Sequence, residues 1–245
     1  MASGETIPRA ATVRATQATE ARTRLPIADH RESVVVHEIY ASIQGESSWA
    51  GVPCTFVRLT GCNLRCHWCD TPAAFYGGQR RRIDDVVKDA LSHETPLVEV
   101  TGGEPLLQRG TPLLLRRLAD AGVTVLIETS GERPIEALDS RVIRILDLKA
   151  PGSGESARNR WSNIDHLRPR DEVKFVLASP EDLDWAAEVM ARFTLAKRVA
   201  AVLLSPVHGV LDPQWLVSEV LRRRLPARVN LQLHKYIWGA TAEGV

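Results

Sequence analysis

From Val34 onward, short runs of β-branched and apolar residues alternate with stretches whose apolar positions recur at helical spacing. The runs Val34–Tyr40, Cys54–Thr60, Leu97–Thr101, Val123–Thr129, Val142–Lys149, Glu172–Ala178, Val199–Ser205 and Val229–His234 read as strands. Many are apolar at consecutive positions, as strands buried between a core and covering helices are. Four helices carry recognisable signals. In Ile83–Leu91 the positions Ile83, Val86, Val87, Ala90 and Leu91 form one face. Thr111-Pro112 offers an N-cap and a first-turn proline, with Gly122 as the stop. Ser179-Pro180-Glu181-Asp182 opens a third helix. Asp212-Pro213 opens a fourth, with Leu216, Val217, Val220 and Leu221 expected to face inward. Strands alternating with helices imply parallel βα units and an α/β fold.

No comparable helix is readable between Lys149 and Glu172, and there is little room for one between Tyr40 and Cys54. A complete (β/α)8 barrel is therefore not expected; an abbreviated, partly open βα barrel over residues 34–245 is. No second domain or internal repeat is visible. Met1–Ser33, rich in Ala, Thr and Arg and lacking an apolar h-region or any sustained periodicity, reads as a disordered tail. Its acidic residues Glu5, Glu20, Asp29 and Glu32 argue against a transit peptide.

The unusual residues follow the strands rather than precede them. Cys62 follows one; Thr101-Gly102-Gly103-Glu104, Glu128-Thr129-Ser130-Gly131 and Asp147-Leu148-Lys149 end or follow three others, as do Ser205-Pro206-Val207-His208 and Gln232-Leu233-His234. In βα barrels that edge is where active sites assemble.

The 245 residues carry a net charge of +1, from 31 basic and 30 acidic side chains, so nothing calls for nucleic acid or an anionic membrane as partner. No apolar run reaches the roughly 18 residues of a membrane span. Three of the four cysteines, Cys62, Cys66 and Cys69, fall within eight residues, too close for a distributed disulfide framework. With no secretory signal they point to a reducing, cytoplasmic compartment, where clustered cysteines bind metal.

The loop Gly61-Cys62-Asn63-Leu64-Arg65-Cys66-His67-Trp68-Cys69-Asp70 has C-x3-C-x2-C spacing, which wraps three thiolates around a [4Fe-4S] cluster and leaves one iron without a protein ligand. A chelating amino-acid moiety could take that iron. The alternative is a structural zinc site, with His67 or Cys54 as fourth ligand. Cys54, within an apolar strand, reads rather as a buried free thiol. In Thr101-Gly102-Gly103-Glu104-Pro105 the paired glycines let backbone approach a ligand closely, and Glu104 could accept from an ammonium. Several residues have plain structural readings on their own. Arg58 fits a surface ion pair, Asp147 and Lys149 a pair with each other, and His234 a satisfied structural histidine. Arg222-Arg223-Arg224 reads as a solvated helix end.

Taken together, the cysteine loop with an aromatic before its last cysteine and the Gly-Gly-Glu-Pro turn resemble the radical S-adenosylmethionine (SAM) superfamily. Within it, residues 34–245 resemble the 7-carboxy-7-deazaguanine synthase family of 7-deazapurine (queuosine-type) biosynthesis. The resemblance is carried by Tyr40-Ala41-Ser42-Ile43-Gln44-Gly45-Glu46-Ser47, Phe56-Val57-Arg58-Leu59-Thr60-Gly61-Cys62, Cys69-Asp70-Thr71 and Gln232-Leu233-His234-Lys235-Tyr236-Ile237-Trp238-Gly239. It implies an abbreviated βα barrel, a homodimer, and conversion of 6-carboxy-5,6,7,8-tetrahydropterin to 7-carboxy-7-deazaguanine with loss of ammonia. The implied cofactors are a [4Fe-4S] cluster, SAM and Mg2+, with an electron donor such as flavodoxin or ferredoxin. The reduced cluster would cleave SAM to a 5′-deoxyadenosyl radical that takes hydrogen from the pterin C6, SAM being regenerated at the end.

By the same resemblance Cys62, Cys66 and Cys69 hold the cluster. Trp68 and Asp70 flank it, and Gly103 and Glu104 meet the methionine end of SAM. Ser130, Asp147, Lys149, Ser205 and His208 are further SAM contacts, and Thr71 coordinates magnesium, a hard cation that keeps several waters. Ile43, Gln44, Gly45 and Glu46 read the pterin edge, and Arg58 pairs with the substrate carboxylate. Thr101, His234 and the terminal Val245 complete the substrate set. Two features depart from the family pattern: the N-terminal tail, and the ending Ala240-Thr241-Ala242-Glu243-Gly244-Val245, where a more basic stretch is expected. Outside this family, the same loop would suit a glycyl-radical-enzyme activase or a zinc-stabilised binding module.

Overall fold

A computed structural model describes residues 31–240, 242 and 244; the expectations for residues 1–30 and for Val245 concern positions outside these. One sheet of nine strands runs in the order β3-β1-β2-β4-β5-β6-β7-β8-β9. The strands are β1 (Ser33–Ile43), β2 (Pro53–Leu59), β3 (Gln79–Arg82), β4 (Leu97–Gly102), β5 (Thr124–Thr129), β6 (Ile143–Asp147), β7 (Glu172–Leu177), β8 (Ala201–Pro206) and β9 (Arg228–Val229). From β2 to β9 every neighbouring pair is parallel, whereas β1 lies antiparallel to both β2 and β3. The sheet ends at β3 and β9, which do not pair, so the expected abbreviated barrel is open. The helices are α1 (Ile83–Leu91), α2 (Thr111–Asp120), α3 (Pro180–Phe193), α4 (Pro213–Arg223) and α5 (Leu233–Ile237).

Ser33 already belongs to β1 and is buried against Arg82 of β3, so the ordered barrel begins at least one residue earlier than expected. The polar strand β3 is invisible to apolar patterning; it exists because β1 offers a free edge, and its arginines keep the new edge charged. Thr111 is not a cap. It is the first residue of α2, and its hydroxyl donates to the Pro105 carbonyl at 2.6 Å. Ser179 and Asp212 do cap α3 and α4, accepting from Asp182 N and Gln214 N at 3.3 and 2.9 Å.

Two expectations fail at the C-terminal end. The run Val229–His234 pairs with β8 only at its start; after Asn230 the chain turns away and closes into α5. On α4 Leu216 is buried, but Val217 and Leu221 are 41% and 71% exposed. Both failures have one cause: β9 is two residues long, so the sheet stops before it can cover the whole apolar face of α4.

Between β6 and β7 three short 3-10 helices, Pro151–Ser153, Ser156–Arg158 and Trp161–His166, stand where an α-helix would complete a βα unit. The outer face of the sheet packs on the helices through residues such as Val57, Val100, Ile127, Leu146 and Phe175. The inner face carries a smaller apolar floor of Cys54, Phe56, Leu97, Leu126, Ile143 and Ile145, edged by Tyr40, Trp49 and Val52. One step further along the same strands, at alternate positions, the inner face turns polar: Arg58, Glu99, Thr101, Glu128, Asp147 and Lys174. That change from oil to charge positions the site.

Candidate active site

The cysteine loop leaves the end of β2 and is gripped on several sides. Gly61 donates to the Ala74 carbonyl at 2.8 Å and accepts from Glu104 N at 2.8 Å. His67 donates its backbone N–H to Ser153 O at 3.1 Å, and its ring Nδ1 lies 2.9 Å from Gly152 O. The helix-free crossover is thus the bed on which the loop rests. Gly152 is fixed in turn by Asp182 of α3, whose buried carboxylate accepts Gly152 N at 2.8 Å. Arg65 caps the Cys62 and Leu64 carbonyls at 2.8 and 2.6 Å and stacks over Phe75, 4.3 Å from the ring centroid.

The thiols of Cys62, Cys66 and Cys69 are free and half-buried. Burial pushes Cys62 upward and Cys66 up to about 11, while the ammonium of Lys149 opposes both shifts. A cation beside Cys62 and Cys66 suits an anionic thiolate-bound group. The donors for a closed zinc site do not assemble. Among the described residues no three His, Cys, Asp or Glu side chains converge on one ion. The ring of His67 is bonded to Gly152, and Cys54 is buried at the opposite end of β2, its thiol raised by burial and by Glu99. Three thiols on one short loop, with His67 and Cys54 engaged elsewhere, fit a multi-iron cluster with one open iron.

Gly103 lies against this loop. A Cβ there would stand 2.3 Å from the Gly61 carbonyl oxygen and 2.8 Å from Cys62 Cβ. Gly102, at φ +143°, sits in a conformation that glycine supplies freely. Glu104 is wholly buried and accepts from four donors: Leu106 N at 2.9 Å, Thr129 Oγ1 at 2.9 and 3.0 Å, Ser130 N at 2.8 Å and Ser130 Oγ at 2.6 Å. Its carboxylate is therefore engaged by the protein. What this strand end offers a ligand is the Gly102–Gly103 backbone, with Ser130 held beside it.

Opposite the cysteine loop, the segment Ile43-Gln44-Gly45-Glu46 closes over the charged layer. Gln44 is buried and donates its amide to Glu99. Glu46 pairs with Lys174 and accepts from Gln232 Nε2 at 2.8 Å. Lys174 also reaches Glu128 at 2.7 Å. Burial drives Glu99 well above the ordinary carboxyl value, reinforced by Glu128, and burial likewise raises Glu128 against the pull of Lys174. Lys174 itself is raised: its carboxylate neighbours Glu128, Glu46 and Asp147 overcome the burial that would lower it. Asp147 and Lys149 form a 2.8 Å ion pair, as a plain reading allows, and this pair stands next to Cys66. Asp147 keeps one oxygen, Oδ1, buried and unpartnered.

Arg58 is held by Glu38 at 2.7 Å and by the Tyr40 hydroxyl at 2.8 Å, beside Thr101 on β4. Asp70 accepts from Lys235 and Gln232, each at 3.1 Å, and burial's upward push on its carboxyl is outweighed by Lys235 and Lys174. The Thr71 hydroxyl is 3.1 Å from Asp70 Oδ1. His234 packs on Gly45, where a Cβ would stand 2.2 Å from its Nδ1; burial holds the imidazole below its ordinary value despite Glu46 and Asp70. Ser205 and His208 are engaged with the C-terminal segment, through Asn230 at 3.4 Å and the Tyr236 ring, rather than with the cysteine loop.

Glu99, Glu128 and Lys174 form the heart of the layer, and sequence patterning did not single them out as site residues. The signal was there: ionisable residues inside three largely apolar parallel strands, Glu99 in β4, Glu128 in β5 and Lys174 with Glu172 in β7, where an unneeded charge is rarely buried.

Residues 56–145 match the family model of the radical SAM superfamily. The chain is 43% identical over 224 residues to 7-carboxy-7-deazaguanine synthase of Koribacter versatilis, covering 86% of this chain and 99% of that protein. It is 46% identical over 213 residues to the enzyme of the same name from Chlorobaculum tepidum, covering 86% and 96%. In fold it is similar to the crystal structure of QueE from Escherichia coli, with a TM-score of 0.68 at 21% identity over 82% of this chain and 95% of the other. The spacing of the cysteine loop, the open barrel and these relatives agree: the chain belongs to the 7-carboxy-7-deazaguanine synthase family of radical SAM enzymes.

Proposed function

We propose that the chain converts 6-carboxy-5,6,7,8-tetrahydropterin to 7-carboxy-7-deazaguanine with loss of ammonia. The observation that carries this reading is the meeting, over one charged layer, of the cysteine loop with Gln44–Glu46, Asp70–Thr71 and Gln232–Lys235. Cys62, Cys66 and Cys69 would hold a [4Fe-4S] cluster, with the methionine end of SAM on the open iron. Bound there, these groups supply one-electron reduction and hydrogen-atom abstraction.

The residues of the chain bind, orient and exclude water. The Gly102–Gly103 backbone and Ser130, braced by Glu104, receive the methionine end. Trp68 and Asp70 flank it, and Asp147 with Lys149 contacts SAM beside Cys66; Ser205 and His208 sit further along the same edge. Arg58, pre-aligned by Glu38 and Tyr40, pairs with the substrate carboxylate. Gln44 and Glu46, with Ile43 and Gly45, read the aminopyrimidine edge. Thr101, His234 and Val245 complete the substrate set. The hydroxyl of Thr71 serves Mg2+ together with the substrate carboxylate and waters.

The working unit is a homodimer, whose partner copy covers exposed apolar residues such as Leu221, Ile237 and Trp238. The test is anaerobic incubation of cluster-loaded protein with the tetrahydropterin, SAM and dithionite, followed by chromatography of the product. Absence of 7-carboxy-7-deazaguanine at full iron loading would reject the reading. Thr71→Ala should weaken the magnesium dependence of turnover, and an unchanged magnesium response would remove that role.

A further inference from the structure

Among the described residues, four that are not glycine adopt a positive φ: Ser47, Glu94, Thr194 and Arg224. The last three follow the ends of α1, α3 and α4, where a left-handed residue commonly closes a helix. Ser47, at φ +64°, has no helix behind it. It lies between Glu46, which pairs with Lys174, and Ser48, whose N–H and hydroxyl both donate to Glu172. Glu172 and Lys174 are alternate residues of β7 and share one face of the sheet. A residue with a Cβ is disfavoured at positive φ, so Ser47 stays there only if its surroundings hold it.

The hold from outside the loop comes from one side chain. Asn230 is buried, and its backbone N–H donates to Leu204 O of β8 at 2.9 Å. Its carboxamide Oδ1 accepts the Ser47 N–H at 3.2 Å, and its Nδ2 donates to Ser47 O at 3.5 Å. The first group belongs to the peptide before Ser47 and the second to the peptide after it. Because peptides are rigid planes, gripping both fixes φ and ψ of the residue between them. The other bonds to Ser47, from Trp49 N to its Oγ at 3.1 Å and from Ala50 N to its carbonyl at 3.5 Å, stay within the loop. The residues after Asn230 fasten the neighbours: Gln232 Nε2 donates to Glu46 at 2.8 Å, and Leu233 N to Gly45 O at 2.9 Å. Of these three fasteners, only Asn230 acts on a residue whose own conformation resists.

We propose that Asn230 is a positioning residue for the pterin substrate: by clamping Ser47 in the left-handed conformation it aims Glu46 into the charged layer. The inference rests on the reading of Glu46 as a substrate contact. An unclamped serine visits positive φ roughly a few per cent of the time, whereas glycine takes it about as readily as negative φ. Apparent affinity falls with the fraction of molecules in the competent conformation. The damage done by removing the Asn230 carboxamide is therefore repaired by Ser47→Gly, which touches neither the substrate nor the clamp.

The experiment is steady-state turnover of the tetrahydropterin by cluster-loaded wild type, Asn230→Ala and the double variant Asn230→Ala, Ser47→Gly. Asn230→Ala should raise KM on the order of 10-fold. Its kcat should stay within about twofold, because saturating substrate selects the competent conformation. The double variant should bring KM back to within about threefold of wild type. An unchanged KM in Asn230→Ala, a fall in kcat with KM unmoved, or a double variant without rescue would each overturn the proposal. Should Asn230→Ala fail to fold or to retain iron, Asn230→Asp, which keeps the acceptor and loses the donor, is judged by the same criteria with and without Ser47→Gly. Hydrogen exchange over residues 44–52 reads the clamp with no substrate present: faster exchange in Asn230→Ala is expected, and unchanged exchange rejects the clamp. A wild type that forms no product, while its exchange responds to Asn230→Ala, would place the failure in the functional reading and uphold the clamp.

Discussion

Glu99 is flanked along β4 by Val98 and Val100 and lies under Gln44, so its charge has little water to return to. Its folded pKa is raised above the ordinary 4.5 by burial first and by Glu128 second. Above that ordinary value the unfolded chain releases this proton while the folded chain keeps it. Stability from this group therefore falls as pH rises through the window between the two. Glu99→Gln should lose less stability than wild type between about pH 5 and pH 8, read as denaturation midpoints at the two pH values; parallel losses would show that Glu99 is ionised in the fold. Glu104 is buried too, and it is fully supplied with hydrogen-bond donors. Glu104→Ala strands those buried donors and should cost on the order of 3 kcal/mol in urea unfolding. Residue chemistry was legible where it was written as a motif, as in the three cysteines. It was less legible where the meaning lay in burial: Glu104 read as a ligand for an ammonium, and only its neighbours Thr129 and Ser130, brought in by β5, reveal it as a brace.

At the scale of elements, caps and periodicity carried most of the information. Ile83–Leu91 is a helix over its expected length, and the Ser-Pro and Asp-Pro signals open α3 and α4. What patterning could not show was where the sheet stops, because that depends on pairing between distant strands. Hence apolar patterning gives no sign of β3, and the run after Val229 has a strand's pattern although it closes into α5. The cysteine loop is the element with least tolerance. Gly103→Ala would drive a methyl onto the Gly61 carbonyl, a backbone atom that cannot step aside. A variant at this position should fold but retain well under half the iron of wild type after reconstitution, measured as iron and sulfide per chain; full retention would show that the loop yields. Ser179→Ala removes the cap of α3 and should cost about 1 kcal/mol, measured by thermal unfolding.

For the whole molecule, the organising fact is a barrel floored with apolar side chains and roofed with ionised ones around Lys174. Because Lys174 neutralises Glu46 and Glu128 out of water, its loss is felt globally. Lys174→Met should destabilise the fold by about 3–5 kcal/mol, seen as a lower denaturant midpoint with an unchanged m-value. A near-neutral result would mean that water reaches the layer freely. The open architecture was readable from the missing helix between Lys149 and Glu172, and the position of the site from the strand ends that carry the motifs.

The roof is fastened by contacts between the two ends of the described chain. Leu233 N bonds Gly45 O at 2.9 Å, Gln232 bonds Glu46 across 186 positions, and Asn230 holds Ser47 across 183. During synthesis the ribosome delivers Gln44–Ser47 almost two hundred residues before their fasteners. The nascent chain can pair β2 with β4 and build outward, yet it cannot finish its substrate lip until residues 230–235 have emerged. Ligand competence is thus acquired only once residues 230–235 have emerged, after nearly all of the sheet already exists.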